Sequence, residues 1–235
     1  MPDLHSNIMT EIKHLNSNRK YQIFKRQFDI IFSIIGLIIF AIPILIFGII
    51  IKITSRGPVI HWSERVGLNN TCFFMAKLRT MKIGSPQLSS NHFINPEKYF
   101  IRFGKFFRDF GIDELPQLYN ILKGDMSFVG PRPVVFDDIE TIILRNEKKL
   151  VNNIKPGLTG LAQINGRSKI TIPEKIKYDE IYKEKMCFML DIIIILKTNY
   201  YLIQENIFKK TVKNRKSEQL PYIQIGLTNV ENTIF

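Results

Sequence analysis

Only two cysteines, Cys72 and Cys187, occur in the 235 residues, far apart and with no CxxC pair. That argues against a disulfide framework or a cysteine zinc site and points to a reducing cytosolic compartment. The four histidines, His5, His14, His61 and His92, show no ligand spacing. No HExxH, Gly-x-Ser-x-Gly or Walker sequence is present, so zinc-protease, serine-hydrolase and P-loop chemistries lack support. There is no internal repeat. Acids are scarce, 21 Asp and Glu against 33 Lys and Arg, which leaves a net charge of +12. Such an excess expects an anionic partner: nucleic acid, phospholipid headgroups or a phosphorylated substrate. Nucleic acid is set aside, because the bases are spread along the chain between membrane-like apolar segments. Residues 1–20 contain acids and no small-residue cleavage site before the first apolar run, unlike a cleavable secretory signal.

What is present in quantity is apolar. Residues 30–51, IIFSIIGLIIFAIPILIFGIII, carry no charge and as a helix would be roughly 33 Å long, enough to cross a bilayer core. Pro43 interrupts the run, removing a backbone hydrogen bond and kinking a helix. Bases flank both ends, Arg19, Lys20, Lys25 and Arg26 before it and Lys52 and Arg56 after it. A spanning helix should show a one-sided excess. A helix that enters, bends at Pro43 and returns to the same face accounts for both observations, and a spanning helix is the alternative. Asp29 is expected to pair with Lys25 or Arg26 at headgroup level, or to mark a helix start near water.

Further on, residues 58–62 and 71–78 read as short strands separated by the turn-like GLNN at 67–70. Residues 95–111 place Tyr99, Phe103, Phe106 and Phe107 near helical spacing among Lys98, Arg102, Lys105 and Arg108. That pattern predicts a basic amphipathic helix, at a membrane surface or with its aromatics in a core. Residues 114–124 predict a helix with Leu115, Leu118, Ile121 and Leu122 on one face, Pro116 in its first turn and Gly124 at its stop. GPRPVV (130–135) is too proline-rich for a helix and reads as a fixed loop, and PGLTGLAQINGR (156–167) as a turn-rich loop ending in a base. Residues 178–210 are helical in pattern, and those from about 211 are polar and irregular.

The residues with chemical capacity cluster between 102 and 167. Asp113 and Glu114 are adjacent at a helix start, preceded by Arg102, Lys105 and Arg108. A carboxylate is ionised at neutral pH and can be a nucleophile without a general base. Approaching an anionic phosphate, it needs a metal ion and bases to neutralise charge. A second carboxylate can hold Mg²⁺ while arginines clamp phosphate oxygens. The competing reading makes Asp113 a plain N-cap. Arg132, between two prolines, suits a rigid phosphate grip, or a structural ion pair with Asp125. Arg167 reads as a nucleotide contact or as solvated.

The chain resembles the bacterial sugar transferases, the monotopic polyprenyl-phosphate phosphoglycosyl transferases. The likeness runs from about Lys25 to Gln204. It is carried by KRQFD (25–29), SRGPVI (55–60), ERVG (64–67), KLRTM (77–81), DELPQLYNILKGDMSFVGPRP (113–133) and PGLTGLAQINGR (156–167). The resemblance implies a predominantly helical α+β fold: a re-entrant membrane helix-break-helix, and a small catalytic domain of amphipathic helices and short strands at the cytoplasmic face of the bacterial inner membrane. It divides the chain into a variable segment at 1–24, the membrane helix at 25–52, the catalytic domain at 53–210 and a polar tail at 211–235.

It further implies that Asp113 attacks the β-phosphate of a UDP-sugar, displaces UMP and forms a covalent sugar-phosphate that polyprenyl (undecaprenyl) phosphate then accepts. Mg²⁺ would be held by Glu114 with Asp113, and Lys77, Arg108, Arg132 and Arg167, with Gln163, would surround the phosphates and nucleotide. Partners are then the UDP-sugar, polyprenyl phosphate and membrane lipid, with no nucleic acid, and a homo-oligomer is left open. Ile42 stands where the family has Ser before the proline of the break, Leu161 replaces an aromatic, and Gly111 replaces a small hydroxyl residue. None of these touches the dyad. The alternatives are a Mg²⁺-dependent membrane lipid-diphosphate phosphatase and a non-catalytic membrane anchor.

Overall fold

In the computed structural model the described residues are 4–85, 96–148, 151–166 and 170–201. Arg167 and the 211–235 tail lie outside them. The first element, helix α1 (Leu4–Thr54), is 51 residues long and contains Pro43, and its part Arg19–Thr54 is long and apolar enough to cross a membrane. The expected break at Pro43 is not an interruption of helical structure: residues on both sides belong to one helix.

Helix α1 touches the rest of the chain along one stripe at helical spacing. Lys25 pairs with Asp191 at 2.5 Å. Arg26 donates to the carbonyls of Ile121 and Leu122, both at 2.7 Å. Asp29, almost fully buried, accepts from Ser127 Oγ at 3.1 Å and the Phe128 amide at 3.0 Å. The expected ion pair of Asp29 with Lys25 or Arg26 is therefore replaced: Asp29 satisfies groups on a neighbouring strand, and both bases are engaged elsewhere. Leu118 closes on Gly36, Phe47 meets the Phe107 ring at 5.0 Å, and Ile51 is buried with Leu78 and Ile101. Beyond the helix end, Arg79 donates to the carbonyls of Ser55 and Arg56 at 2.9 and 2.6 Å. The opposite stripe, including Ile31, Ile34, Ile38, Ile42, Leu45, Ile49 and Ile53, is exposed and apolar.

Strands β1 (Ile60–Val66) and β2 (Cys72–Leu78) form an antiparallel hairpin. The expected GLNN turn is there, with Asn69 and Asn70 at positive φ, a conformation asparagine tolerates. The first strand begins two residues later than expected, past Pro58, which cannot donate to a ladder. Residues 95–111 are not one helix. They form a 3₁₀ turn (Pro96–Tyr99), a residue at φ 67° (Phe103) and helix α2 (Gly104–Asp109). Backbone pairing overrides the periodicity here: Met81 bridges Phe100, the Ile101 amide donates to the Thr80 carbonyl at 3.0 Å, and a Cβ on Gly104 would lie 2.1 Å from that oxygen. The aromatics then divide, Phe107 into the core and Phe103, Phe106 and Phe110 outwards.

A 3₁₀ turn (Ile112–Glu114) leads into α3 (Gln117–Lys123), which Gly124 ends at φ 101°. Strand β3 (Ser127–Val129) runs parallel to β5 (Gly157–Thr159), and β4 (Val134–Val135) joins β1 at its edge. The stretch read as a loop from 156 is thus strand β5 followed by helix α5 (Leu161–Ile164). Helices α4 (Ile139–Glu147) and α6 (Ile172–Lys185) are tied by the buried Arg145–Asp179 pair at 2.7 Å. The helical pattern from 178 breaks at 186–187 and resumes as α7 over 188–201. There Asp191 accepts from Tyr182, Tyr21 and Lys25, and Phe188 packs on Phe24 at 4.9 Å. The described fold is α+β and predominantly helical.

Candidate active site

The Asp113–Glu114 turn is fixed from two sides. Gly111 at φ 68° swings the chain from α2 into the turn, a backbone region where glycine carries no steric penalty. Behind it, Asn120 of α3 is 1% exposed; its Oδ1 accepts from the Ala76 amide at 2.9 Å and its Nδ2 donates to the Phe74 carbonyl at 2.8 Å. A side chain that occupies both backbone groups of β2 locks α3 to the strand carrying Lys77. Sequence reasoning missed Asn120, because a polar residue within DELPQLYNILKG gives no local sign of what it meets.

Arg132 comes from the GPRP loop, which is as fixed as expected. Gly130 donates its amide to the Thr159 carbonyl at 2.9 Å and Gly157 donates to the Pro131 carbonyl at 2.8 Å. The backbones approach so closely that a Cβ on Gly157 would meet Gly130 N at 2.1 Å.

These elements bring five of the expected residues, Lys77, Arg108, Asp113, Glu114 and Arg132, to one place. Glu114 Oε1 accepts from Lys77 Nζ at 3.0 Å and from Arg132 Nη2 at 2.6 Å. Arg132 is therefore not paired with Asp125, which instead meets Lys123 at 3.1 Å. Asp113 is 5% exposed, and its Oδ1 has no hydrogen-bond partner. Helix α3 has Pro116 as its N-cap, so Asp113 is not the cap. It lines a cavity of about 370 Å³ together with Lys77, Arg108, Arg65, His61 and Ser63. Arg108 also stands over the Phe100 ring at 5.9 Å. Gln163 is not among the lining residues; it is on α5, and both of its amide atoms are buried without a partner.

The two carboxyls are driven apart. Burial pushes Asp113 up to about 6; Glu114's charge adds to the rise, while Lys77, Arg108 and Arg132 oppose it. Burial would also raise Glu114, but Arg132 and Lys77 outweigh it and hold that carboxyl well below the usual range. Adjacent acids with divergent affinities for a proton mark divided roles. Glu114 is a permanent anion organising two bases, and Asp113 is a buried carboxyl open to a ligand. Among the described residues no group of three or more His, Cys, Asp or Glu could hold a metal ion. A Mg²⁺ ion usually binds through one or two carboxylates plus substrate phosphates, and the unpartnered Oδ1 beside Glu114 fits that donor set.

The sequence profile of the bacterial sugar transferase family matches residues 20–205, and the chain belongs to that family. It is 35% identical over 210 residues to the undecaprenyl-phosphate galactose phosphotransferase of Salmonella typhimurium, covering 83% of this chain and 43% of that one. It is 38% identical over 185 residues to the UDP-glucose:undecaprenyl-phosphate glucose-1-phosphate transferase of Klebsiella pneumoniae, covering 75% and 39%. To the exopolysaccharide production protein ExoY of Rhizobium meliloti it is 32% identical over 189 residues, covering 74% and 83%. The chain thus spans less than half of the first two relatives and most of the third.

Proposed function

We propose that this sugar transferase moves a sugar 1-phosphate from a UDP-sugar to undecaprenyl phosphate, releasing UMP and beginning the assembly of a surface polysaccharide. The observation that carries the chemistry is Asp113, which lines a base-rich cavity and whose Oδ1 is buried and unpartnered. The relatives named for undecaprenyl-phosphate sugar transfer supply the donor and acceptor classes. In the first step an Asp113 oxygen forms a bond to the sugar-side phosphorus and the bond from that phosphorus to the bridging oxygen breaks. The electron pair stays on UMP, so no proton has to move. In the second step an oxygen of the lipid phosphate attacks the same phosphorus and the Asp113 carboxylate leaves. Lys77, Arg108 and Arg132 neutralise the phosphate oxygens, and Glu114 holds Lys77 and Arg132 in position. Mg²⁺, held by Glu114 with Asp113, would supply further charge neutralisation.

The test is product analysis with UDP-sugar and polyprenyl phosphate, where UMP and a lipid diphosphate-sugar are expected in equal amounts. Inorganic phosphate released from a lipid diphosphate would instead establish the phosphatase reading. An anchor without catalysis would form neither product, and it leaves the unpartnered carboxyl of Asp113 unexplained.

The same reading places both ends of α1 on the cytoplasmic face of the inner membrane. Supporting it, one catalytic body grips the helix from Lys25 to Ile51 and captures the carbonyls beyond its end. A helix crossing the bilayer would carry these contacts to opposite sides. The apolar stripe of α1, with the outward Phe106 and Phe110 of α2 and Met189, Ile193 and Leu196 of α7, then meets lipid on one side. With Cys72 and Cys187 replaced by Ser, cysteines at the exposed positions Gln22 and Arg56 should both resist a membrane-impermeant maleimide in intact cells and both react once the membrane is opened. Labelling of one end from outside would establish a spanning helix.

A further inference from the structure

Strand β1 alternates, so His61, Ser63 and Arg65 share one side, and all three line the cavity that contains Asp113. Trp62 and Glu64, on the other side, are exposed. The inward face of an ordinary half-buried strand is apolar, yet here it is polar and ends in a guanidinium. Arg65 Nε donates to Ser63 Oγ at 3.0 Å and Nη1 reaches the Pro133 carbonyl at 3.5 Å. These contacts orient the group without neutralising it. Among the described residues no carboxylate lies within ion-pair distance of Arg65, whereas Lys77 and Arg132 both have Glu114. Burial pushes the Arg65 guanidinium down to about 10, and Arg132 and Arg108 push the same way while the more distant charges of Glu114 and Asp138 oppose them. A half-buried cation that is not paired within its own fold is costly to hold and is explained by an anion that binds there.

Position selects the anion. Lys77 pairs across the hairpin with His61, and Arg65 lies four residues further along β1, roughly 13 Å at strand spacing. Lys77, held by Glu114 beside Asp113, serves the phosphate that Asp113 attacks, and Arg65, carried further along the strand and turned back to Ser63, serves the group next to it. In an in-line displacement the leaving oxygen stands opposite the nucleophile, and the leaving nucleotide gains a negative charge as the bridging bond breaks. We infer that Arg65, braced by Ser63, holds the phosphate of the departing nucleoside monophosphate. The inference rests on the UDP-sugar donor proposed above, and it makes β1 the nucleotide-side wall of the cavity.

The probe is UMP, titrated calorimetrically into the full chain in detergent. Wild type should bind it, Arg65→Gln at least tenfold more weakly, and Arg65→Lys in between, because an ammonium keeps the charge but not the planar fork. The KM for UDP-sugar should rise in parallel. A second measurement needs no variant: UMP should protect Arg65 of the wild-type protein from phenylglyoxal, read by mass spectrometry of the peptide. Equal UMP affinity in wild type and Arg65→Gln overturns the inference and leaves the donor reading standing. If the Gln variant does not fold, unprotected modification of Arg65 in wild type at saturating UMP overturns it instead. A wild-type protein that binds no UMP refutes the donor reading itself, and this inference with it.

Discussion

Asp113→Asn is expected to abolish acceptor-independent release of UMP from a UDP-sugar while leaving the chain folded. An amide cannot form the acyl-phosphate, so double displacement stops at its first step, and the loss should be on the order of 10⁴-fold or more. The structure strengthens the control. Asp113 is not the N-cap of α3, so no cap is lost in the variant. Folding also works against the ionised carboxylate: the carboxyl rises to about 6 chiefly through burial. The resulting penalty on the folded state appears as pH climbs above the ordinary carboxyl value of 3.8 and is complete above about 6. Asn removes that penalty, so at pH 8 the variant should melt no lower than wild type, a trade of stability for function at a reactive position. With donor labelled in the β-phosphate and no lipid present, wild type should release UMP up to the enzyme concentration and keep label on the Asp113 peptide. Label on a different peptide would move the nucleophile elsewhere. Absence of both burst and label in wild type would favour direct transfer between the two substrates.

The parts of this site that were legible in the sequence are those whose signal is local. GPRP with its two prolines dictates its own backbone, and Gly124 stops α3 where expected, whereas the start of that helix shifts from 114 to Gln117, with Pro116 as its N-cap and the DE pair in a 3₁₀ turn ahead of it. The charge-free run at 30–51 dictates α1 for the same reason. What was not legible depends on partners distant in the chain. The periodicity of 95–111 predicted one helix, but Thr80 and Met81 offered backbone pairing that a periodic pattern cannot anticipate. Asp29 was assigned to its neighbours in sequence, and it serves Ser127 and Phe128 instead. Asn120 and Arg65 stand inside motifs that carry the resemblance, but neither was assigned a role. For Arg65 a signal existed: in His-x-Ser-x-Arg along a strand, the face that ought to be apolar is hydrophilic throughout, which marks a wall facing a ligand rather than a core. Pro43 is the opposite case, a strong local signal for a break that the helix absorbs without interruption.

Glu114→Gln separates two jobs open to one carboxylate, and its outcome has a sign. Oε1 of Glu114 receives both Lys77 and Arg132. Losing its charge releases both bases from their shared anchor, and removal of one preorganised electrostatic group in a buried site typically lowers turnover by about 10²–10³-fold. The direction of the pH effect follows from the neighbour. Glu114's charge is among the causes that raise Asp113, while Lys77, Arg108 and Arg132 lower it. Removing the negative charge and keeping the three positive ones must lower the Asp113 pKa. In wild type the burst of UMP should fall as pH drops through about 6, where the nucleophile takes up its proton. In the Gln variant that fall should move to lower pH, although the plateau is much reduced. A Glu114 that served only to bind Mg²⁺ would behave differently, since excess Mg²⁺ would restore the plateau. An acid limb at an unchanged pH would show that Glu114 does not act on Asp113 through its charge. A lowered limb with a plateau that excess Mg²⁺ does not rescue would identify Glu114 as the residue that aims Lys77 and Arg132 and keeps the nucleophile from being over-stabilised by them.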